Sequence, residues 1–266
     1  MMMLRALYTG ATGANAQQVQ LDIIAHNLAN VNTNGYKKVR TEFQDLISQN
    51  FSTPGTISAQ GTTKPVGVQI GLGTRVAATQ RMFLPGSVVQ TGNKLDLAIQ
   101  GEGFFQVLTD NGDIAYSRDG AFKRDASGTL VTSDGYPMEP AVNIPQDTVE
   151  ISINLNGTIS IKQAGAQAFT EIGQIQLARF ANPTGLESIG NNLFMATPAS
   201  GDAINGTAGQ GDFGRTSINQ GYIENSNVQI VEEMINMITA QRAFETNTSV
   251  IKAGDQILQN MTNIGR

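Results

Sequence analysis

Heptad-spaced apolar residues occur at both ends of this 266-residue chain and nowhere between them. Near the N-terminus Leu4, Leu7, Ala11, Ala14, Gln18, Leu21, Ala25 and Leu28 alternate in steps of three and four, a seam interrupted by one polar residue. Near the C-terminus Ile230, Met237, Phe244, Ile251 and Leu258 recur at heptad spacing, flanked by Met234, Ile238 and Met261. If the two segments meet, everything between them is one long insertion. Taken singly, either helix reads as the packed face of a globular domain. Taken together, with no third helical pattern to complete a bundle, they read as a pair that buries too little surface alone and needs neighbours. Polar residues Gln18, Gln241, Thr248 and Asp255 would weaken a closed two-helix coil, but they can hydrogen-bond to further helices and set register.

The first helix is expected over about Met3 to Val31, because the run Asn30-Val31-Asn32-Thr33-Asn34-Gly35 tolerates left-handed backbone and stops a helix. Residues 48–67, rich in Ser, Thr, Gln, Gly and Pro, read as an extended arm or equally as a plain flexible linker. From Val68 to about Tyr222 the pattern changes to short alternating runs, such as Leu95 to Ile99, Phe104 to Leu108 and Val149 to Ile153. Turn dipeptides punctuate them at Asn111-Gly112, Asp119-Gly120, Ser127-Gly128, Asp134-Gly135 and Asn156-Gly157. Asn225-Ser226-Asn227 then offers N-cap side chains before a second helix expected over about Val228 to Asn263, with Glu232 and Glu233 in its early turns. The expected fold class is therefore α+β. Terminal helices pair as a coiled coil, with residues 1–35 and 225–266 as its two arms, 36–67 as a linker and 68–224 as an inserted β-rich domain.

Composition and chemistry narrow the function. With 17 basic against 22 acidic residues and no basic cluster longer than Lys37-Lys38, nucleic acid is not an expected partner. Cysteine is absent, which excludes disulfides and thiolate metal sites. No apolar run approaches the ~18 residues that span a bilayer, and the stretch from Met1 to Tyr8 is too short for a signal peptide, so any export is expected by another route. His26 is the only histidine, leaving almost no material for a Ser-His-Asp triad or a histidine-rich metal site. Asp110, Asp113, Asp119 and Asp125 lie in turns, where Asp is common because it bonds nearby backbone. Glycines at Gly10 and Gly13, Gly71 and Gly73, and Gly206 to Gly214 lack the strand-to-helix setting and Gly-Lys-Ser/Thr ending of a phosphate loop. An enzyme is not expected, nor a cofactor or metal.

The segment Asn27-Leu28-Ala29-Asn30-Val31-Asn32-Thr33-Asn34-Gly35-Tyr36-Lys37-Lys38 closely resembles the N-terminal signature of bacterial flagellar rod and hook proteins. The stretch from Ser226 to Ile235, followed by Gln241-Arg242-Ala243-Phe244, is similar to the matching C-terminal signature. Between them, Ala98 to Val107 and Ser117 to Phe122 resemble the opening of the β-domain in these proteins. Within the family, the chain length and the segment Thr184 to Leu193 look most like distal rod subunits, with a proximal rod subunit as the competing assignment.

That resemblance implies a self-assembling helical tube. The paired terminal helices line an export channel, the β-domain forms an outer layer, and residues 48–67 act as a strut between subunits. It implies as partners other copies of the chain, proximal rod proteins, the hook protein or its junction, the rings in the peptidoglycan and outer membrane, the rod cap and the export apparatus. It places the protein in the basal body, in the distal rod between periplasm and outer membrane. Outside the family, a secreted β-domain binding module is the next reading, and a peptidoglycan hydrolase a distant third.

Overall fold

Asn30 to Gly35 end the first helix as their composition requires. The computed structural model describes residues 2–52, 66–165 and 168–264, with side chains placed from Arg5 to Asn263, and its first helix, α1, runs Met2–Ala29. Gly35 has φ +66°, and a Cβ there would lie 2.6 Å from the backbone of Arg118 and Asp119, so the turn needs glycine for its conformation and for its space. Four strands follow: β1 (Val39–Asp45), β2 (Gln49–Ser52), β3 (Val68–Ile70) and β4 (Thr74–Arg81). β1 pairs with β4, and β2 pairs antiparallel with β3. The arm expected over residues 48–67 thus starts in a strand, β2, that pairs with β3 just past its far end, and residues 53–65 lie outside the described residues. The last helix, α2, runs Ile230–Ile264, with Glu232 and Glu233 in its first turn, where the positive helix end favours acidic groups.

The chain divides into two compact units, one of Met1–Leu28, Val39–Gln80 and Gln229–Arg266, the other of Ala29–Lys38 and Arg81–Val228. Gly35 N–H donates to Glu224 O at 2.8 Å within the second unit, while β4 joins β1 within the first. In the first unit α1 and α2 pack together, running in opposite directions, since Leu7 meets Gly254 while Asn27 meets Glu233.

The second unit is built on a six-stranded antiparallel sheet ordered Glu187–Gly190, Leu193–Met195, Ile114–Ser117, Phe104–Leu108, Leu177–Arg179 and Ile204–Gly206. Both faces are covered at its central strands, which is why Phe104–Leu108 reads as a nearly continuous apolar run. Phe105, Val107, Ala115, Leu177 and Leu193 enter the larger core, and their neighbours Phe104, Tyr116, Ala178 and Phe194 enter a second, aromatic cluster with Phe180. A three-stranded sheet, Thr148–Ile153, Thr158–Gln163 and Thr170–Gln174, adds Ile153, Ile159 and Ile161 to the larger core. The chain entering and leaving the unit runs side by side, with Leu97–Gln100 pairing Ser217–Gln220 and Val88–Gln90 pairing Tyr222–Glu224.

Buried charge joins these passages to the segment that precedes β1. The Glu224 carboxylate, almost fully buried, takes Lys37 Nζ at 2.5 Å on one oxygen and Arg118 Nη1 at 3.2 Å on the other. Gly86 N–H donates to the same carboxylate at 2.8 Å, Lys37 Nζ also reaches Leu84 O at 2.8 Å, and Arg118 Nη2 reaches Gly101 O at 2.6 Å. Asn227, expected among the N-cap side chains, is a strap instead. Its amide donates to Met82 O and Leu84 O, and its oxygen accepts from Lys38 N–H, leaving Ser226 Oγ to accept from Val228 N–H.

Two outcomes follow from this cluster. Removing a shared partner from two buried cations leaves both uncompensated, so Glu224→Ala is expected to lower the unfolding free energy by about 3–5 kcal/mol, read by denaturant titration. Burial, reinforced by the nearby Arg118 cation and opposed by Glu224, brings the Lys37 ammonium down from 10.5 to about 8. Between those values the unfolded chain holds more protons at this site than the folded chain, so Lys37 adds stability as pH rises through the window and loses it as pH falls. The unfolding free energy of wild type minus that of Lys37→Met should therefore rise from pH 8 to pH 10, by up to about 1.4 kcal/mol per unit; a signed difference that falls contradicts this reading.

Candidate functional site

Close approach of the two terminal helices rests on small residues. A Cβ on Gly254 would sit 2.7 Å from Leu7 Cδ2, one on Gly10 would sit 3.1 Å from Ile251 Cγ1, and one on Gly13 would sit 3.0 Å from the Asn247 amide. Each helix therefore offers two interleaved rows to the other. On α2, Met237, Phe244, Ile251 and Leu258 are half-buried, as the heptad spacing implies, and the intervening row is Glu233, Ala240, Asn247 and Gly254. On α1, Ala14 is buried and Leu7, Leu21 and Leu28 are half-buried, interleaved with Gly10, Gln17 and Ile24. Of the other expected seam positions, Ala11, Ile230 and Met234 are exposed, and the Leu4 side chain lies outside the described residues. The second row escaped the sequence reading because it is made of small and polar residues. Its only signal was Ala240, Asn247 and Gly254 at heptad spacing.

Asn27 accounts for the far end of the pairing. Its amide donates to Val39 O at 2.9 Å while its oxygen accepts from Val39 N–H at 2.9 Å, which copies the bonding of a neighbouring strand and fixes the start of β1 to α1. The same amide donates to Glu233 Oε2 at 3.3 Å, so one buried side chain links α1, β1 and the first turn of α2.

The remaining signature positions serve the turn or the surface. Thr33 Oγ1 donates to Asn30 Oδ1 at 3.2 Å, Gly35 makes its close approach, and Tyr36 is buried with Arg81 stacked on its ring at 5.6 Å. Leu28 is half-buried and Ala29 and Asn32 are exposed. Gln241 and Arg242 are exposed on α2, and Ala243 is half-buried in a groove lined also by Gln17, Gln20, Phe43, Asn236, Thr239 and Ala240.

α2 also carries an apolar face that α1 does not reach. Ile230, Val231, Met234, Ile235 and Ile238 are 48–71% exposed and occupy a sector of roughly 140° at 100° per residue, which borders the Met237 row at Ile230 and reaches the far side of the helix at Ile235. Polar chemistry offers no rival centre: among the described residues no group of three or more His, Cys, Asp or Glu could hold a metal, and His26 is exposed on α1. Glu224, the most deeply buried carboxylate of the second unit, is committed to two cations. Among the described residues no helix is long and apolar enough to cross a membrane. What this arrangement can do is pack protein against protein.

Comparison with known proteins agrees in three ordered blocks. Residues 7–37 match the family model for flagella basal body rod protein, residues 98–161 that for the flagellar hook protein FlgE/F/G D1 domain, and residues 219–264 that for the flagellar basal body rod FlgEFG protein C-terminal region. The chain is 46% identical to the flagellar basal-body rod protein FlgG of Borreliella burgdorferi, over 99% of this chain and 100% of that protein. It is 44% identical to the FlgG of Agrobacterium fabrum, over 96% of this chain and 97% of that one, and 40% identical to the FlgG of Bacillus subtilis, over 99% and 100%. A more distant relative, the flagellar hook-basal body complex protein FlhP of Bacillus subtilis, is 34% identical over 96% of this chain. The chain belongs to the flagellar basal-body rod protein family, a family of structural rather than catalytic proteins, and within it is FlgG-like.

Proposed function

We propose that this chain is the distal rod subunit of a bacterial flagellar basal body. The observation that carries the reading is the pairing of its first and last helices, which leaves a second apolar face of α2 uncovered and in need of other copies. End-to-end likeness to proteins named FlgG supports the distal over the proximal position. In this reading α1 and α2 form a coiled coil in an inner layer around an export channel. The two arms of that layer are residues 1–35 and 225–266, and the seam is Leu4, Leu7, Ala14, Leu21 and Leu28 against Met237, Phe244, Ile251 and Leu258. Residues 68–224 form the outer layer and 36–67 connect the two. Ala11, Ile230 and Met234 then meet neighbouring copies instead of the chain's own second helix.

Repetition of one heterologous interface without closure builds a straight shaft in which each modest contact recurs along the length. Such a shaft transmits motor torque through the periplasm to the hook and turns within the peptidoglycan and outer-membrane rings. Its partners are proximal rod proteins below, the hook or its junction above, the rod cap at the growing end, and the flagellar export apparatus that delivers it. Close packing at Gly254 gives a direct test. Wild-type protein is expected to form straight tubes above a threshold concentration, seen by electron microscopy and sedimentation, and Gly254→Leu, which forces α1 away from α2, is expected to abolish them while the second unit stays folded. A wild-type chain that remains monomeric with both helices formed would favour a β-domain binding module instead.

A further inference from the structure

The exposed face of α2 and a groove elsewhere in the same unit are complementary. The groove lies at the opposite end of the helix pair, lined by Arg5, Ala6, Thr9, Ile70, Gly71 and Val250, with an open volume of about 490 Å³ and a mostly apolar surface. Arg5 borders it, its guanidinium stacked on the Phe51 ring at 4.7 Å. The stripe of Ile230, Val231, Met234, Ile235 and Ile238 is convex and apolar, and an acidic residue, Glu232, flanks it on the side of Ile235. The chain cannot bring the two together by itself. α2 is a continuous helix from Ile230 to Ile264, so the roughly sixteen residues between Met234 and Val250 hold stripe and groove about 24 Å apart at ~1.5 Å per residue.

Resting on the rod-subunit reading above, we infer that the α2 stripe of one copy seats in the Arg5–Val250 groove of a second copy. The two surfaces differ, so the contact is heterologous and leaves a free stripe and a free groove at the ends of every assembly, the condition for open growth instead of a closed dimer. With α2 laid along the shaft, the contact sets an axial offset of roughly 21–24 Å between the two copies, taken from the fourteen to sixteen residues that separate the surfaces. Arg5 meets the side of the partner stripe that bears Glu232, which fixes its direction.

The absence of cysteine permits a clean test on the full chain. Ala6 is exposed in the groove and Met234 in the stripe; within one chain they lie roughly 30 Å apart by helix rise, far beyond the Cα separation of about 4.4–6.8 Å that a disulfide tolerates. Oxidation of the double variant A6C/M234C under assembly conditions should give a ladder of covalent multimers. A mixture of the two single variants should stop at dimers, and each single variant should stay uncrosslinked. Met234→Glu should raise the concentration needed for assembly by on the order of tenfold or more. Tubes from the double variant without a ladder would overturn this docking and leave the rod reading standing, as would dimers from M234C alone, which mean that the stripe packs on itself. Failure of wild type to assemble at any concentration would remove both.

Discussion

Everything proposed for this chain depends on how closely its first and last helices approach. Gly10, Gly13 and Gly254 remove the side chains that would hold them apart, and Leu7, Ile251 and Asn247 occupy the space so opened. Dispersion and apolar burial fall off steeply with a gap of even half an ångström, so a seam built on glycine is sensitive to any added methyl group. At the far end Asn27 replaces packing with hydrogen bonds, holding α1, the start of β1 and Glu233 of α2 by one buried amide. The two ends of the seam are thus held by different physics, apolar contact at one and a satisfied polar network at the other.

The second unit solves a different problem. An insertion between two helices must bring its entry and exit together, and here three passages of chain converge on the strand that carries Glu224: the segments around Lys37, Gly86 and Arg118. An ion cluster this buried is weak as a source of net stability, because desolvation offsets most of the attraction. Its effect is specificity: a chain passage in another register would strand a cation in an apolar surrounding. Polar strapping by Asn227 and the glycine turn at Gly35 act to the same end.

Much of this was legible in the sequence. The two helices, their order and the β-rich middle followed from apolar periodicity and turn dipeptides, and the stop after α1 from a run of asparagines ending in Gly35. The row Met237, Phe244, Ile251 and Leu258 was visible because all four are large and apolar. Its companion row, Glu233, Ala240, Asn247 and Gly254, was not, since periodicity in hydrophobicity does not report residues that matter by being small or by bonding to Asn27. On α1 the close approach is made by Gly10, a residue without a side chain to mark it, while Ala11 beside it is exposed. The Lys37, Arg118 and Glu224 cluster left no local pattern, because its members are separated by most of the chain.

A reconstruction by electron cryomicroscopy of the polymer grown from the full-length chain is the most direct test of the central claim. It should show α1 and α2 of one subunit packed antiparallel, Leu7 beside Gly254, with Ile230, Met234 and Ile238 covered by a neighbouring copy. Terminal helices that lie apart, or that pair only with helices of other subunits, would contradict it.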